Sequence, residues 1–158
     1  CLNRPEVHTL SCGAAKPSDF DCHLDALEHY DAIETTIAPI EKRLRGSLAE
    51  AHGADWCDRW PEGLPDYVDV PGKLNLTEIL RLWTYAKGLN LVDWGKMRYN
   101  LLGQGDHWFP GEHVGKLDET RLTDALRKSP FADRIPEILT ETHRLLLDTE
   151  QKRQSESE

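Results

Sequence analysis

Residues able to bind a metal or move a proton gather at two places in this sequence. The first comprises His8, Cys12, Cys22, Asp25 and His29. Thiolate, imidazole and carboxylate are the ligands zinc takes. Cys22, Asp25 and His29 follow one another at helical spacing, so on a helix their side chains share a face toward which His8 and Cys12 could converge. The second place is the segment 103–113, where Asp106-His107 and Glu112-His113 flank Trp108 and Phe109 on a turn rich in Gly and Pro. A His beside a carboxylate on a loop held by a rigid body is a candidate acid–base or ligand-binding group.

The four cysteines, Cys1, Cys12, Cys22 and Cys57, all fall in the first 57 residues of 158. The preferred reading is one or two disulfides, of undetermined pairing, tying an irregular arm to the body. Free thiols come next, and a zinc site at Cys12, Cys22 and His29 is the third reading. Nothing else in the sequence asks for a cofactor. The disulfide reading favours an oxidising, extracytoplasmic compartment. Cys1 stands where lipoprotein maturation leaves a lipidated cysteine, so a lipid anchor there is kept as an alternative.

Tryptophan is the other unusual resource. Of five, Trp56, Trp60 and Trp108 fall where loops are expected. Exposed tryptophans bury much area for little entropy and mark contact surfaces. Trp56, Trp60, Trp108, Phe109, His107 and His113 are therefore the candidate binding residues, and no catalytic residue is assigned. The sequence has no phosphate-binding loop, dinucleotide fingerprint, HExxH, GxSxG, CxxC or EF-hand loop, which removes the common enzymatic devices. A net charge of −9 argues against nucleic acid. The basic run Lys42-Arg43-Leu44-Arg45 reads as a solvated helix face. No apolar run is long enough to cross a bilayer.

The elements that must position these groups are helices. Residues 1–17 contain Pro5, Gly13 and Pro17 without any sustained period, and read as an irregular arm. Ser18 is the expected N-cap of a first helix whose stripe runs through Phe20, Leu24, Leu27, Ile33, Ile37, Ile40, Leu44 and Leu48. Pro39 either kinks that helix or begins a second one, and Gly53 stops it. Residues 54–73 read as a loop packed down by aromatics. Asn75 to Glu78 is a capping box for a helix that buries Ile79, Leu82, Trp83 and Ala86 and ends at Gly88. Asp93 caps a helix burying Trp94, Met97 and Leu101, and Asp118 one burying Leu122, Ala125 and Leu126. A last helix from about Pro136 carries Ile135, Ile138, Leu139, Thr142, Leu145 and Leu146 at helical spacing. The expectation is an all-α fold: one compact domain of about five helices over 18–150, the arm 1–17 and a polar tail 151–158.

Ile79, Leu82, Trp83, Tyr85, Lys87, Leu91, Asp93 and Arg98 fall in the order and spacing of the L-W-x-Y-x-K-x-x-x-L-x-D core of SWIB domains. Over these twenty or so residues the chain resembles that family. The resemblance implies a small helical protein-interaction module centred on 79–98. The residues on their own point to an acidic, non-enzymatic helical domain that binds another protein or serves as an accessory subunit. The alternative is a metal-dependent or acid–base enzyme working through the 106–113 loop.

Overall fold

The structure, a computed structural model, describes residues 6–105, 109–115 and 118–147. The described residues form α-helices without strands: α1 (Asp19–Leu27), α2 (Ala38–His52), α3 (Ala54–Arg59), α4 (Leu76–Gly88), α5 (Val92–Tyr99), α6 (Glu119–Leu126) and α7 (Ile135–Leu146). The all-α expectation holds. None of the described helices is long and apolar enough to cross a membrane. The chain divides into two compact units, residues 1–46 and 47–158, with the division inside α2.

In the first unit α1 begins one residue after Ser18, but the Ser18 side chain caps nothing. Asp19 instead ties down the turn ahead of the helix. Its carboxylate accepts the backbone N–H groups of Ala15 (2.8 Å) and Lys16 (3.1 Å), and these bonds hold its carboxyl below the usual range. A 3-10 turn at Tyr30–Ala32 and a π turn at Ile33–Ile37 lead into α2, where Pro39 sits in the first turn. There its missing N–H is no loss, which decides between the kink and the new helix. None of residues 6–46 is buried.

The second unit holds the core. Helices α4, α5 and α7 pack against one another, and α6 packs on the turn at Pro71–Lys73. The sequence gives α4 one apolar face, yet Leu76 and Leu80 are also buried, beside Ile79, Leu82, Trp83, Thr84 and Ala86. A helix flanked on several sides loses its solvated stripe. Half of the capping box forms: Asn75 Oδ1 accepts the Glu78 N–H at 3.0 Å. Glu78 does not reciprocate, because its carboxylate takes both Nε and Nη2 of Arg81 at 3.0 and 2.7 Å.

Three details depart from the sequence reading. Residues Ala54–Arg59, expected as loop, form α3, with Trp56 in the core. Helix α5 starts at Val92 with no side-chain cap, and it buries Gly95 and Tyr99 while Trp94 and Met97 are only half-buried. The last helix ends at Leu146, and 148–158 lie outside the described residues. The Asp118 cap of α6 forms as expected, its Oδ1 accepting the Arg121 N–H at 3.2 Å.

Candidate functional site

The segment 109–114 is held against the start of α4 by backbone pairing. Glu112 N–H donates to the Lys73 carbonyl (2.8 Å), and the Glu112 carbonyl accepts Asn75 N–H (3.1 Å). Asn75 Nδ2 adds a bond to the Pro110 carbonyl at 2.7 Å. Gly111 permits the close approach: its φ is +86°, and a Cβ there would stand 2.8 Å from the Lys73 carbonyl oxygen.

This pinned segment presents His113 and Phe109 to two different clusters. His113 stacks on Tyr99, ring centroids 5.6 Å apart, and lies 5.8 Å from the ring of His143 on α7. The Tyr99 hydroxyl accepts the Val114 N–H at 3.0 Å and meets His143 Nδ1 at 2.9 Å. Tyr99 is wholly buried, and burial pushes its phenol up. Burial, helped by the neighbouring His113, pulls His143 down. A phenol pushed up and an imidazole pulled down both favour their neutral forms, which suits a buried hydroxyl–imidazole contact that locks a helix end to a loop. His113 therefore serves packing in this cluster, and the Glu112 carboxylate lies over Gly103.

Phe109 belongs to a ladder of alternating cations and rings on the outer side of α4 and α5. Arg81 lies 5.6 Å from the Trp94 ring centroid, Arg98 lies 6.0 Å from the same ring, and Arg98 is also 5.6 Å from that of Phe109. Trp94 and Arg98 are one turn apart on α5. Both rings and both guanidiniums are half-buried.

A third group is built into the core around Trp56, which is 1% exposed. Its indole N–H donates to Thr84 Oγ1 at 3.0 Å, and the Thr84 hydroxyl in turn donates to the Leu80 carbonyl at 2.8 Å. Trp83 packs between Trp56 and His52, and donates its indole N–H to Glu141 at 2.8 Å. Lys87 completes the Glu141 pairing. Burial alone would raise the Glu141 carboxyl, but the Lys87 and Trp83 donors outweigh it and hold the group below the usual range. Trp56 is thus interior, a correction to its expected place in a contact face. Its N–H is satisfied inside the fold, as a buried indole requires. Trp60 is partly buried against the same core.

The cysteine-rich candidates are not drawn together. His8, Cys12, Cys22, Asp25 and His29 are all exposed, and no three His, Cys, Asp or Glu among the described residues could share a metal ion. Cys12, Cys22 and Cys57 are free thiols, so the disulfide expectation finds no pair among them. Cys1, at which a lipid anchor was considered, lies outside the described residues, as do Asp106, His107 and Trp108. Sequence reasoning missed Tyr99, His143 and Arg81, and met Arg98 only within the family resemblance. Only the Trp94/Arg98 spacing carried a local signal.

One further surface stands out in the first unit. Phe20, Leu24 and Leu27 of α1 are 53%, 62% and 51% exposed, and Tyr30 just beyond is 52% exposed. The same stretch carries Asp19, Asp21, Asp25, Glu28, Asp31 and Glu34, with no Lys or Arg between Pro17 and Glu41. No known family, no curated protein and no solved structure matches this chain.

Proposed function

We propose that this chain is a non-enzymatic protein-binding domain or accessory subunit, and that α1 is its main contact element. The supporting observation is the open apolar row Phe20, Leu24 and Leu27, at the spacing by which an amphipathic helix lays one face into a groove. A helix that buries none of its residues gains little stability from its own fold. It gains most by burying that row elsewhere. The acidic residues around the row fix the chemistry of the receiver: an apolar groove on a partner protein, rimmed by Lys and Arg. Burying one leucine in such a groove contributes about 2 kcal/mol, or roughly thirtyfold in affinity.

The test compares partner capture by the full chain, its Leu24→Asp variant and a Val68→Asp control, with quantitative mass spectrometry of the co-purifying proteins. Val68 is 59% exposed in the second unit, so its variant controls for a new surface charge. A protein held by the parent chain and the control but lost from Leu24→Asp supports α1 as the contact. An identical set of proteins on all three sinks it.

A further inference from the structure

The basic run Lys42-Arg43-Leu44-Arg45 lies in the part of α2 that belongs to the first unit. Ile40 and Leu44 are 40% and 45% exposed there, and with the half-buried Ile37 they recur at helical spacing. Each residue of an α-helix turns the chain by about 100°, so Arg43 and Arg45, the neighbours of Leu44, stand on opposite sides of that row. Between Ala38 and Ala49 the one acidic residue is Glu41. The start of α2 is therefore an apolar row with a guanidinium along either margin.

Helix α1 has the opposite pattern. Asp19 and Asp21 stand on either side of Phe20, and Glu28 follows Leu27 on the same side as Asp21. Asp19 is tied to the backbone of Ala15 and Lys16, which leaves Asp21 and Glu28 as the exposed carboxylates bordering the row. Phe20, Leu24 and Leu27 remain exposed in the single chain, and so do Ile40 and Leu44, so α1 does not close the α2 row of its own chain. A receiver for α1 needs an apolar strip bordered by cations, and the start of α2 meets that description. A second copy of the chain brings one. A two-fold axis lets each α1 cover the other copy's α2, so that both rows close at once. The net charge of −9 opposes association at long range, but at physiological ionic strength exposed charges more than about 8 Å apart are largely screened, and pairs in contact much less so.

We infer that two copies of this chain form a two-fold dimer in which α1 of each lies along the start of α2 of the other. This dimer requires α1 to be the contact element proposed above.

The experiment is sedimentation equilibrium of the full chain at concentrations up to about 0.5 mM, with the variants Leu24→Asp and Leu44→Asp and the Val68→Asp control. All three substituted side chains are exposed in the single chain, so the fold is kept. The parent chain and the control are expected to dimerise. Each leucine variant removes its contact twice in a two-fold dimer, which weakens association on the order of a thousandfold. Two charge-reversed chains, Asp21→Lys with Glu28→Lys and Arg43→Glu with Arg45→Glu, are each expected to be monomeric alone and to form a mixed dimer when combined. A parent chain that stays monomeric overturns the inference. So does a dimer that survives both leucine variants, or a pair of charge-reversed chains that do not associate on mixing. A monomeric chain that still loses a captured protein on Leu24→Asp overturns the dimer and retains α1 as the contact for another protein. A monomeric chain whose captured proteins are the same in every variant removes both.

Discussion

The hydroxyl of Tyr99, at the end of α5, lies 2.9 Å from Nδ1 of His143 in α7. Its oxygen accepts the Val114 N–H, and its own proton can bond the imidazole. With His143 neutral and its proton on Nε2, every group in this contact is satisfied. One buried hydroxyl thereby joins two helices and the 109–114 segment. Tyr99→Phe keeps the ring and removes the link, leaving a backbone N–H and an imidazole nitrogen unpartnered. The expected loss is about 1–3 kcal/mol in unfolding free energy, read as a lower urea midpoint at unchanged slope. A midpoint equal to that of the parent chain would mean that water replaces the hydroxyl without cost.

Stability should fall as the solution is acidified below about pH 6.5, the ordinary histidine value. His52 and His143 are both held below that value, chiefly by burial. Their unfolded forms therefore take up protons before their folded forms do, so the unfolded state binds more protons and stability rises with pH through this window. The contribution is complete above the unfolded value and is lost as pH falls toward the lowered folded ones. Urea midpoints at pH 8 and pH 5, repeated in His143→Asn, check this. The variant should show a smaller difference between the two pH values.

Gly63 and Gly53 both have positive φ, +68° and +87°, and they separate two kinds of cost. A Cβ at Gly53 meets nothing within 4 Å, whereas one at Gly63 would overlap the Lys128 carbonyl. Gly53→Ala is expected to cost about 1 kcal/mol, from backbone strain alone. Gly63→Ala must also move the 128–129 backbone and should cost about 3 kcal/mol or leave the chain unfolded. Thermal melts of the two variants side by side decide it. Equal losses would count against a close approach at Lys128.

Thiol labelling tests the cysteine arrangement. Cys12 and Cys22 are exposed and Cys57 is half-buried, with burial, then Asp58, pushing its thiol up. Reactivity follows the thiolate and its access. At pH 7.5 Cys12 and Cys22 should react with an alkylating reagent in the native chain well before Cys57, as mapped by peptide mass spectrometry. Resistance of Cys12 or Cys22 until a reductant is added would restore the disulfide reading.

Local rules carried much of the fold. Helical spacing of Leu122 and Leu126, and of Ile135, Ile138, Leu139 and Leu146, gave the buried faces of α6 and α7, while Asn75, Asp118 and Gly53 marked helix ends. These signals act within a turn or two of chain, which is why they are legible without the tertiary structure. Local rules gave α1 a cap it lacks: the Ser18 side chain makes no cap bond, and Asp19 reaches back to Ala15 and Lys16 ahead of the helix. They also took α3 for a loop, because much of its support is Trp56 docking on Thr84, Trp83 and Phe131 from elsewhere in the chain.

The candidate sites divide the same way. The apolar row of α1, with its acidic surroundings, was in the sequence as a helical stripe; only the structure decided that it faces outward, since burial depends on what else packs there. Trp56 and Trp60 looked alike as loop tryptophans, and the fold put one fully inside and left the other at its edge. Tyr99, His113 and His143 come from three separate stretches, as do Arg81, Arg98 and Phe109. Their contacts span up to 44 residues of chain, and no pattern of spacing records a contact that exists only after the helices have packed. The sequence by itself determined the helical class, most helix limits and the acidic charge. Which polar groups are satisfied inside the fold, and which, like the buried Arg98 Nε, find no hydrogen-bond partner among the described residues, was decided by tertiary packing alone.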